Sequence, residues 1–402
     1  MPQTLQSFSF SLSVVDLLGV AVLLIWLYLL FGRGQFWWLR DFDDDIAPHD
    51  ELRTWPRVVA IVPARNEAET IARTVVSLTR QNYDGEFSIL VVDDHSEDET
   101  AALALRSAAQ SGAAARVRVH RAAEWPEGWT GKLWTLNEGV TRAAETDTAF
   151  YWFTDADVAH APDALRRIVS RAEKSKLDLT SLMVLLRAES GAEKLLIPAF
   201  LYFFLKLYPP RWIADAKART AGAAGGCVLL RREALERIGG LAAIRDEVID
   251  DCALARAVKH SGGQIWMGVT RASASLRSYR NFPEIRDMIA RTAFTQLRYS
   301  PLLLLGTLLG MLLTYVVPVA MVFTPSMFAT ACGAIALVLM TCSFIPTLWH
   351  FRRSRYWAPL LPLAALFYSY ATWISALRYW RGRGGQWKGR AQAPHASKDV
   401  AG

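Results

Sequence analysis

The chain has 402 residues, room for one large or two small domains. Its 52% hydrophobic content and 15 Trp are high for a soluble protein. The net charge of +7 comes with no recognised nucleic-acid motif, so it is read as Lys and Arg beside membrane segments rather than as a nucleic-acid surface.

Residues 11–31 are apolar except for Asp16 and long enough to cross a bilayer. No Lys or Arg precedes the run and no small-residue cleavage site closes it, which predicts an anchor and not a cleaved signal peptide. Arg33 and Arg40 follow, so the positive-inside rule puts the N-terminus outside and the next domain in the cytosol. Residues 32–56 form a linker with an acidic tether at 41–51. From residue 57, strands are expected over 57–63, 87–92, 116–120 and 149–154. Helices are expected over 67–81, 97–110, 132–144 and 162–174, the last with Pro162 in its first turn. This alternation predicts an α/β domain, a parallel sheet with helices on both faces, whose ligands bind at the carboxyl ends of the strands.

Leu195–Ile213 is apolar and aromatic, but Pro198, Lys206 and Pro209-Pro210 interrupt it. It reads equally well as an interfacial helix or as a core helix. A small-residue run, Ala221–Gly226, follows. Three apolar blocks come after Ser300, at about 301–323, 328–348 and 357–377. The expected organisation is an anchor (11–31), a linker (32–56), a catalytic domain (57–299), a membrane region (300–378) and a basic tail (379–402). That is an anchored domain and not a multi-span channel. Three crossings would leave the basic tail outside, against the positive-inside rule, so one block is expected to be re-entrant or interfacial. Cys227, Cys252, Cys332 and Cys342 lack metal-ligand spacing and read as reduced small hydrophobes.

The chemistry concentrates where strands end. Tyr151–Val158 is an apolar run closing in Asp155 and Asp157, a spacing at which two hard carboxylates suit Mg²⁺ or Mn²⁺ carrying substrate phosphates. An isolated Asp-x-Asp is more often a turn or a helix cap. Here Pro63 and Asp93-Asp94 also lie at expected strand ends. Lys132, behind Gly131 at a helix start, suits a phosphate. Asp250-Asp251 opens a helix running to His260, where a carboxylate can take a proton from an acceptor hydroxyl or merely complement the helix dipole. Arg291 and Arg298, seven residues apart on one expected helix, would steady a departing diphosphate or mark the membrane interface. No G-x-G-x-x-G follows a strand and no P-loop exists, which excludes the common dinucleotide and NTPase sites.

Five ordered motifs carry a resemblance: Val62-Pro63-Ala64-Arg65-Asn66-Glu67, Val91-Val92-Asp93-Asp94-His95-Ser96, Thr154-Asp155-Ala156-Asp157, Ile249-Asp250-Asp251 and Gln296-Leu297-Arg298-Tyr299. Over about residues 57–300 the chain resembles family 2 glycosyltransferases of the GT-A fold. Within them it is similar to hopene-associated, ceramide and carotenoid glycosyltransferases, which share a tail like Gln386-Trp387-Lys388-Gly389-Arg390. The resemblance implies a UDP-sugar donor, a divalent metal on Asp155 and Asp157, Asp94 on uracil with Asp93 beside it, and Pro63 and Glu67 lining the nucleotide pocket. It further implies Asp251 as general base, Arg298 at the leaving group, inversion, a lipid acceptor such as a hopanoid, and a multi-pass protein of the cytoplasmic membrane. One departure is Thr295 and Tyr299 in the family's [QR]-x-x-R-W, which weighs against a polymer acceptor subsite. The competing readings are a processive polysaccharide synthase, for which three C-terminal blocks are few, and a haloacid-dehalogenase-type phosphohydrolase, whose Asp-x-Asp follows the first strand of its domain. A catalytically dead membrane scaffold is disfavoured, because every acidic motif position is intact.

Overall fold

The computed structural model describes residues 13–39 and 52–382 and the backbone of 386, 387, 390 and 391. The acidic tether and most of the basic tail lie outside these residues. The N-terminal run forms α1 (Val14–Leu27) and continues as a π-type turn to Gly32. Its lone acidic residue has a local role: Ser13 and Asp16 form a reciprocal capping box.

The central domain opens with β1 (Val58–Ala64), α2 (Ile71–Thr79), β2 (Phe87–Asp93), α3 (Thr100–Gln110), β3 (Val117–Arg121), α4 (Gly131–Ala143) and β4 (Phe150–Phe153). Each expected alternating element is present. However, α2 starts later than the apolar pattern suggests, because Asn66 adopts a left-handed φ of 49° and residues 67–70 turn before the helix begins. β1 is buried along its whole length, as a strand with helices on both faces must be. α4 sits close to the sheet because Gly139 faces Ile61; a Cβ there would come within 2.4 Å of Ile61 Cγ2.

The second half comprises β5 (Val158–His160), α5 (Ala164–Lys174), β6 (Leu179–Leu185), α6 (Gly191–Leu207), α7 (Pro210–Ala214), β7 (Val228–Arg231), α8 (Arg232–Arg237), α9 (Asp250–His260) and β8 (Ile265–Ser275). The eight strands form one sheet in the order β3-β2-β1-β4-β7-β6-β8-β5. β1 to β4 pair in parallel, but β7 is antiparallel to β4 and β6, and β5 is antiparallel to β8. The sheet is therefore mixed, not wholly parallel as expected. A strand buried on both faces shows the same apolar run whichever way it points, so periodicity carries no direction.

α10 (Phe282–Ala290), α11 (Ala293–Gln296), α12 (Pro301–Met311), α13 (Val317–Met321), α14 (Met327–His350) and α15 (Leu361–Trp380) complete the chain. Four helical stretches are long and apolar enough to cross a membrane: Val14–Gly32, Pro301–Met321, Met327–His350 and Arg355–Trp380. α1 and α14 start together, with Ser326 donating to the Asp16 carboxylate. α6 is a core helix. Leu196, Ile197 and Tyr202 are fully buried. The Tyr202 hydroxyl meets Ser343 Oγ of α14 at 2.7 Å, and Tyr368 of α15 donates to Leu196 O at 3.0 Å. Phe203 lies between Tyr315 and Tyr368, with ring centroids 5.5 and 4.9 Å away. The interruptions in this segment belong to a platform on which the apolar helices rest.

The single helix expected to carry Arg291 and Arg298 does not form. Arg291 caps α10, α11 is a separate turn, and Arg298 and Tyr299 take φ of 52° and 56°. Pro301 forces the break: it holds Ser300 extended and can only start a new helix. The two arginines therefore do not share a helix face.

Candidate active site

β1, β2 and β4 run parallel, so their carboxyl ends open on one edge of the sheet. There a cavity is lined by Pro63 from β1, Lys132 from the first turn of α4, Asp155 just past β4, and Asp250 and Asp251 from the first turn of α9. Lys132 is its hub. Its Nζ lies 3.1 Å from Asp155 Oδ1 and 3.2 Å from Asp250 Oδ2, joining two motifs almost a hundred residues apart in sequence. Burial works against the ammonium, but Asp155, Asp250 and Asp251 outweigh it and hold Lys132 well above the ordinary lysine range.

Asp251 is the buried carboxylate of the group. Burial, then repulsion from Asp250, pushes its carboxyl up to about 6, against the pull of Lys132 and of backbone donors. Those donors are Cys252 N, 2.7 Å from Oδ1, and Gly225 N, 2.8 Å from Oδ2. A carboxyl poised there can exchange a proton near neutral pH. Gly225 belongs to the small-residue run, and the run has a steric reason. A Cβ on Gly225 would lie 3.3 Å from Lys132 Nζ and 3.4 Å from Asp251 Oδ2.

Asp93 ends β2, and Asp94 and Glu67 lie in the loops after β2 and β1; none of the three lines the cavity. Arg65 donates to Asp94 O at 2.6 Å and lies 3.7 Å from its carboxylate. The loops after β1 and β2 grip each other: Asn66 N donates to Ser96 Oγ at 3.0 Å, Glu97 N to Asn66 Oδ1 at 2.9 Å, and Glu67 N to Thr100 Oγ1 at 2.8 Å. Asn66 and His95 are both left-handed, at matching points two residues past their strands. Asp93 Oδ1 is buried and makes no hydrogen bond among the described residues. Asp157 takes a different cation from Asp155: its Oδ2 lies 4.0 Å from Arg277. Arg298 is exposed and does not line the cavity. Among the described residues no cluster of three or more His, Cys, Asp or Glu is arranged to hold a metal by itself.

Sequence reasoning passed over His160. It is buried, and burial lowers its pKa to about 3, so it is neutral. Thr154 Oγ1 donates to Gly226 O at 3.0 Å and therefore accepts from His160 Nε2, 2.8 Å away; Nδ1 then accepts from Ser273 Oγ at 2.8 Å. One imidazole thus fixes the residue before Asp155 and the residue after Gly225. A histidine in a strand three residues beyond an Asp-x-Asp carries no pattern that would announce this.

Residues 59–239 match the family described as glycosyl transferase family 2. The chain carries a family 2 glycosyltransferase domain. The mannosyltransferase PcManGT from Pyrobaculum calidifontis, solved with GDP-Man and Mn²⁺, is similar in structure: TM-score 0.53 and 18% identity over 90% of this chain and 99% of that one. That likeness shows the shared GT-A fold. Glucosyl-3-phosphoglycerate synthase from Mycobacterium tuberculosis, solved with Mg²⁺ and uridine diphosphate, matches with a TM-score of 0.38 and 17% identity, over 60% of this chain and 79% of that one. No curated protein matches the chain significantly. A family 2 domain of this fold is built for glycosyl transfer from a nucleotide sugar. The phosphohydrolase reading falls away: the matched family is a glycosyltransferase one, and Asp155 follows the fourth strand of the chain.

Proposed function

We propose that this glycosyltransferase moves a sugar from a nucleoside diphosphate sugar, UDP-linked on the sequence motifs, to the hydroxyl of a membrane lipid, with inversion. The observation that carries the reading is the meeting of Lys132, Asp155, Asp250 and Asp251 in one cavity at the carboxyl edge of the sheet. Asp251 takes the proton of the acceptor hydroxyl. The acceptor oxygen bonds to the anomeric carbon as the bond to the diphosphate breaks, and the Lys132 ammonium meets the charge that develops on the leaving group. Asp94, with Asp93 beside it, is the carboxylate offered to the imide N–H of a base, and Arg65 lies 3.7 Å from it.

The donor set also suits a divalent ion. Asp155 is the more open carboxylate of the Lys132 cluster, with 37% of its side chain exposed against 19% for Asp250, and an ion carried on a diphosphate needs only one or two protein carboxylates. Asp155 and Asp157 would hold it, and it would neutralise charge on the departing diphosphate. PcManGT, with its Mn²⁺ and GDP-Man, supports a metal and a nucleotide sugar in general terms.

A lipid acceptor is supported by the way the site is joined to the apolar helices. Tyr208, at the end of α6, bonds Gln296 of α11 at 2.7 Å, and α11 lies directly before α12. Keeping a long acceptor in lipid avoids about 0.8 kcal/mol per CH₂ exposed to water. Similarity to hopene-associated glycosyltransferases favours a hydroxylated polycyclic lipid. The test is a thin-layer assay of the purified chain with radiolabelled UDP- and GDP-sugars, Mn²⁺ and membrane lipid extract. A chloroform-soluble labelled product is expected. Label appearing only as free sugar, or only on soluble oligosaccharide, would overturn the reading.

A further inference from the structure

Arg355–Trp380 has the length and hydropathy of a span, and α15 alone is about 30 Å long. A helix leaving the domain to cross a bilayer would carry its far end about that distance away. Neither end of α15 leaves. Just before it, Arg353 donates to Ala188 O, and Arg271 of β8 donates to His350 O at 2.9 Å and Trp349 O at 3.1 Å. Near its other end Ser375 accepts from Phe294 N at 3.0 Å, Arg378 pairs with Asp287 at 2.5 Å, and Tyr379 stacks on Tyr299 at 4.3 Å. In between, Tyr368 reaches α6 and Phe367 packs on Phe282 at 5.8 Å. The neighbour along this length, α10, carries Glu284, Arg286 and Asp287, which exclude the depth of the hydrocarbon core.

The outward face of α15 is a single stripe: Leu363, Leu366, Tyr370, Trp373 and Trp380, each 42 to 54% exposed, at helical spacing. Tyr and Trp beside Leu is the composition of a membrane–water boundary. We propose that α15 lies flat in the surface of the bilayer on the catalytic side, with this stripe seated at the headgroup–acyl boundary, so that the chain crosses three times and not four. The charge pattern agrees. Arg33 after α1, Arg352 and Arg353 after α14, and Arg378 and Arg381 at the end of α15 all fall on the domain's side, while Val322–Ser326 between α13 and α14 has no charge. The conflict between three C-terminal crossings and a basic tail then disappears.

The test uses the full chain with Cys342→Ser; the other three cysteines are buried. Leu363→Cys and Trp380→Cys are labelled singly with an environment-sensitive fluorophore in reconstituted vesicles and quenched by nitroxide lipids spin-labelled at shallow or deep positions. Seventeen residues of a crossing helix would separate the labels by about 25 Å in depth. In-plane placement predicts equal depths, both quenched best by the shallow nitroxide. A depth difference above about 10 Å, or best quenching by the deep nitroxide, overturns the proposal. A second measurement needs no substitution. A C-terminal epitope on the full chain should be cut by protease from the same side of sealed vesicles as the catalytic domain. Cutting from the opposite side overturns the proposal. Neither readout depends on activity.

Discussion

Replacing Asp251 with Asn separates catalysis from stability in a way few other substitutions at this site would. The carboxyl is buried and its pKa stands at about 6 against an ordinary 3.8, a difference worth about 3 kcal/mol. Because the folded value is the higher one, this contribution is fully present below about pH 4 and is lost as the pH rises through about 6. Above that, the ionised carboxylate costs the fold about 3 kcal/mol. Asn removes the charge, but its single oxygen can accept from only one of Cys252 N and Gly225 N, leaving a buried donor unmatched at about 1–3 kcal/mol. At pH 8 the two effects nearly cancel, and the variant should melt within a few degrees of the wild type. At pH 5 about half of the charge cost is already gone while the lost hydrogen bond remains, so the variant should melt lower relative to the wild type than it does at pH 8. Turnover should fall by roughly 10²–10⁴ at pH 8, where the wild-type carboxyl is ionised, as for a lost general base. The wild-type kcat/KM should fall about tenfold per pH unit below about pH 6. Melting curves at the two pH values and initial rates of lipid glycosylation check each point. An Asp251→Asn enzyme keeping more than a tenth of wild-type turnover, or an inactive Asp250→Asn beside an active Asp251→Asn, would refute the assignment.

Asp155→Asn and Asp157→Asn should each abolish Mn²⁺-dependent binding of UDP, read by calorimetry, without lowering the melting temperature. Unchanged metal-dependent affinity in both would remove them as ligands. Gly139→Ala should cost about 1–3 kcal/mol, because its Cβ would overlap Ile61 Cγ2 and lift α4 from β1. Since α4 carries Lys132, nucleotide affinity should fall with the melting temperature. A variant as stable as the wild type would mean that α4 is not seated on β1 as described.

Much of this was legible in the sequence because the signals are local. Strand tips at Pro63, Asp93 and Asp155, and the acidic start of α9, each follow from short patterns of apolar residues, turn formers and charge. What was not legible depends on contacts between distant segments. The Lys132 bridge needs the crossover of α4 to bring a helix start over β4. The run Ala221–Gly226 carries no motif, yet a Cβ on Gly225 would press on Lys132 Nζ at 3.3 Å and touch Asp251 Oδ2 at 3.4 Å. The direction of β7 and the break at Arg298 escape the sequence for opposite reasons: a buried strand has no polarity in its composition, whereas Pro301 stands in plain view and acts at a distance, through the extended Ser300 before it. The α6 segment shows a third case. Its prolines and lysine exclude a span, but only packing against Ser343 and Tyr368 tells a platform from an interfacial helix. Phe203, buried between two tyrosines, belongs to the same packing, and Phe203→Ser would chiefly destabilise the fold.

The proposed base is held relative to the long apolar helices by a continuous set of contacts. Trp26 of α1 donates to Thr314 O at 2.9 Å, and Arg33, just past that helix, donates to Lys206 O of α6 at 3.0 Å and lies over Trp212 of α7. Lys206 in turn donates to Tyr315 at 2.9 Å. On the other side of α7, Lys259 donates to Trp212 O, Ile213 O and Thr220 O at 2.9, 2.8 and 2.7 Å. Lys259 is in the last turn of α9, whose first turn holds Asp251. α9 is thus clamped at one end by the segment that rests on the apolar helices and at the other by Gly225 N. A soluble acceptor diffuses to its base and gains little from a base fixed against the bilayer. A lipid hydroxyl sits at a depth set by its own hydrocarbon body, so a base held at constant height above the membrane turns that depth into alignment. A flexible linker between domain and anchor would forfeit this orientation, which in well-aligned reactions accounts for several kcal/mol of barrier.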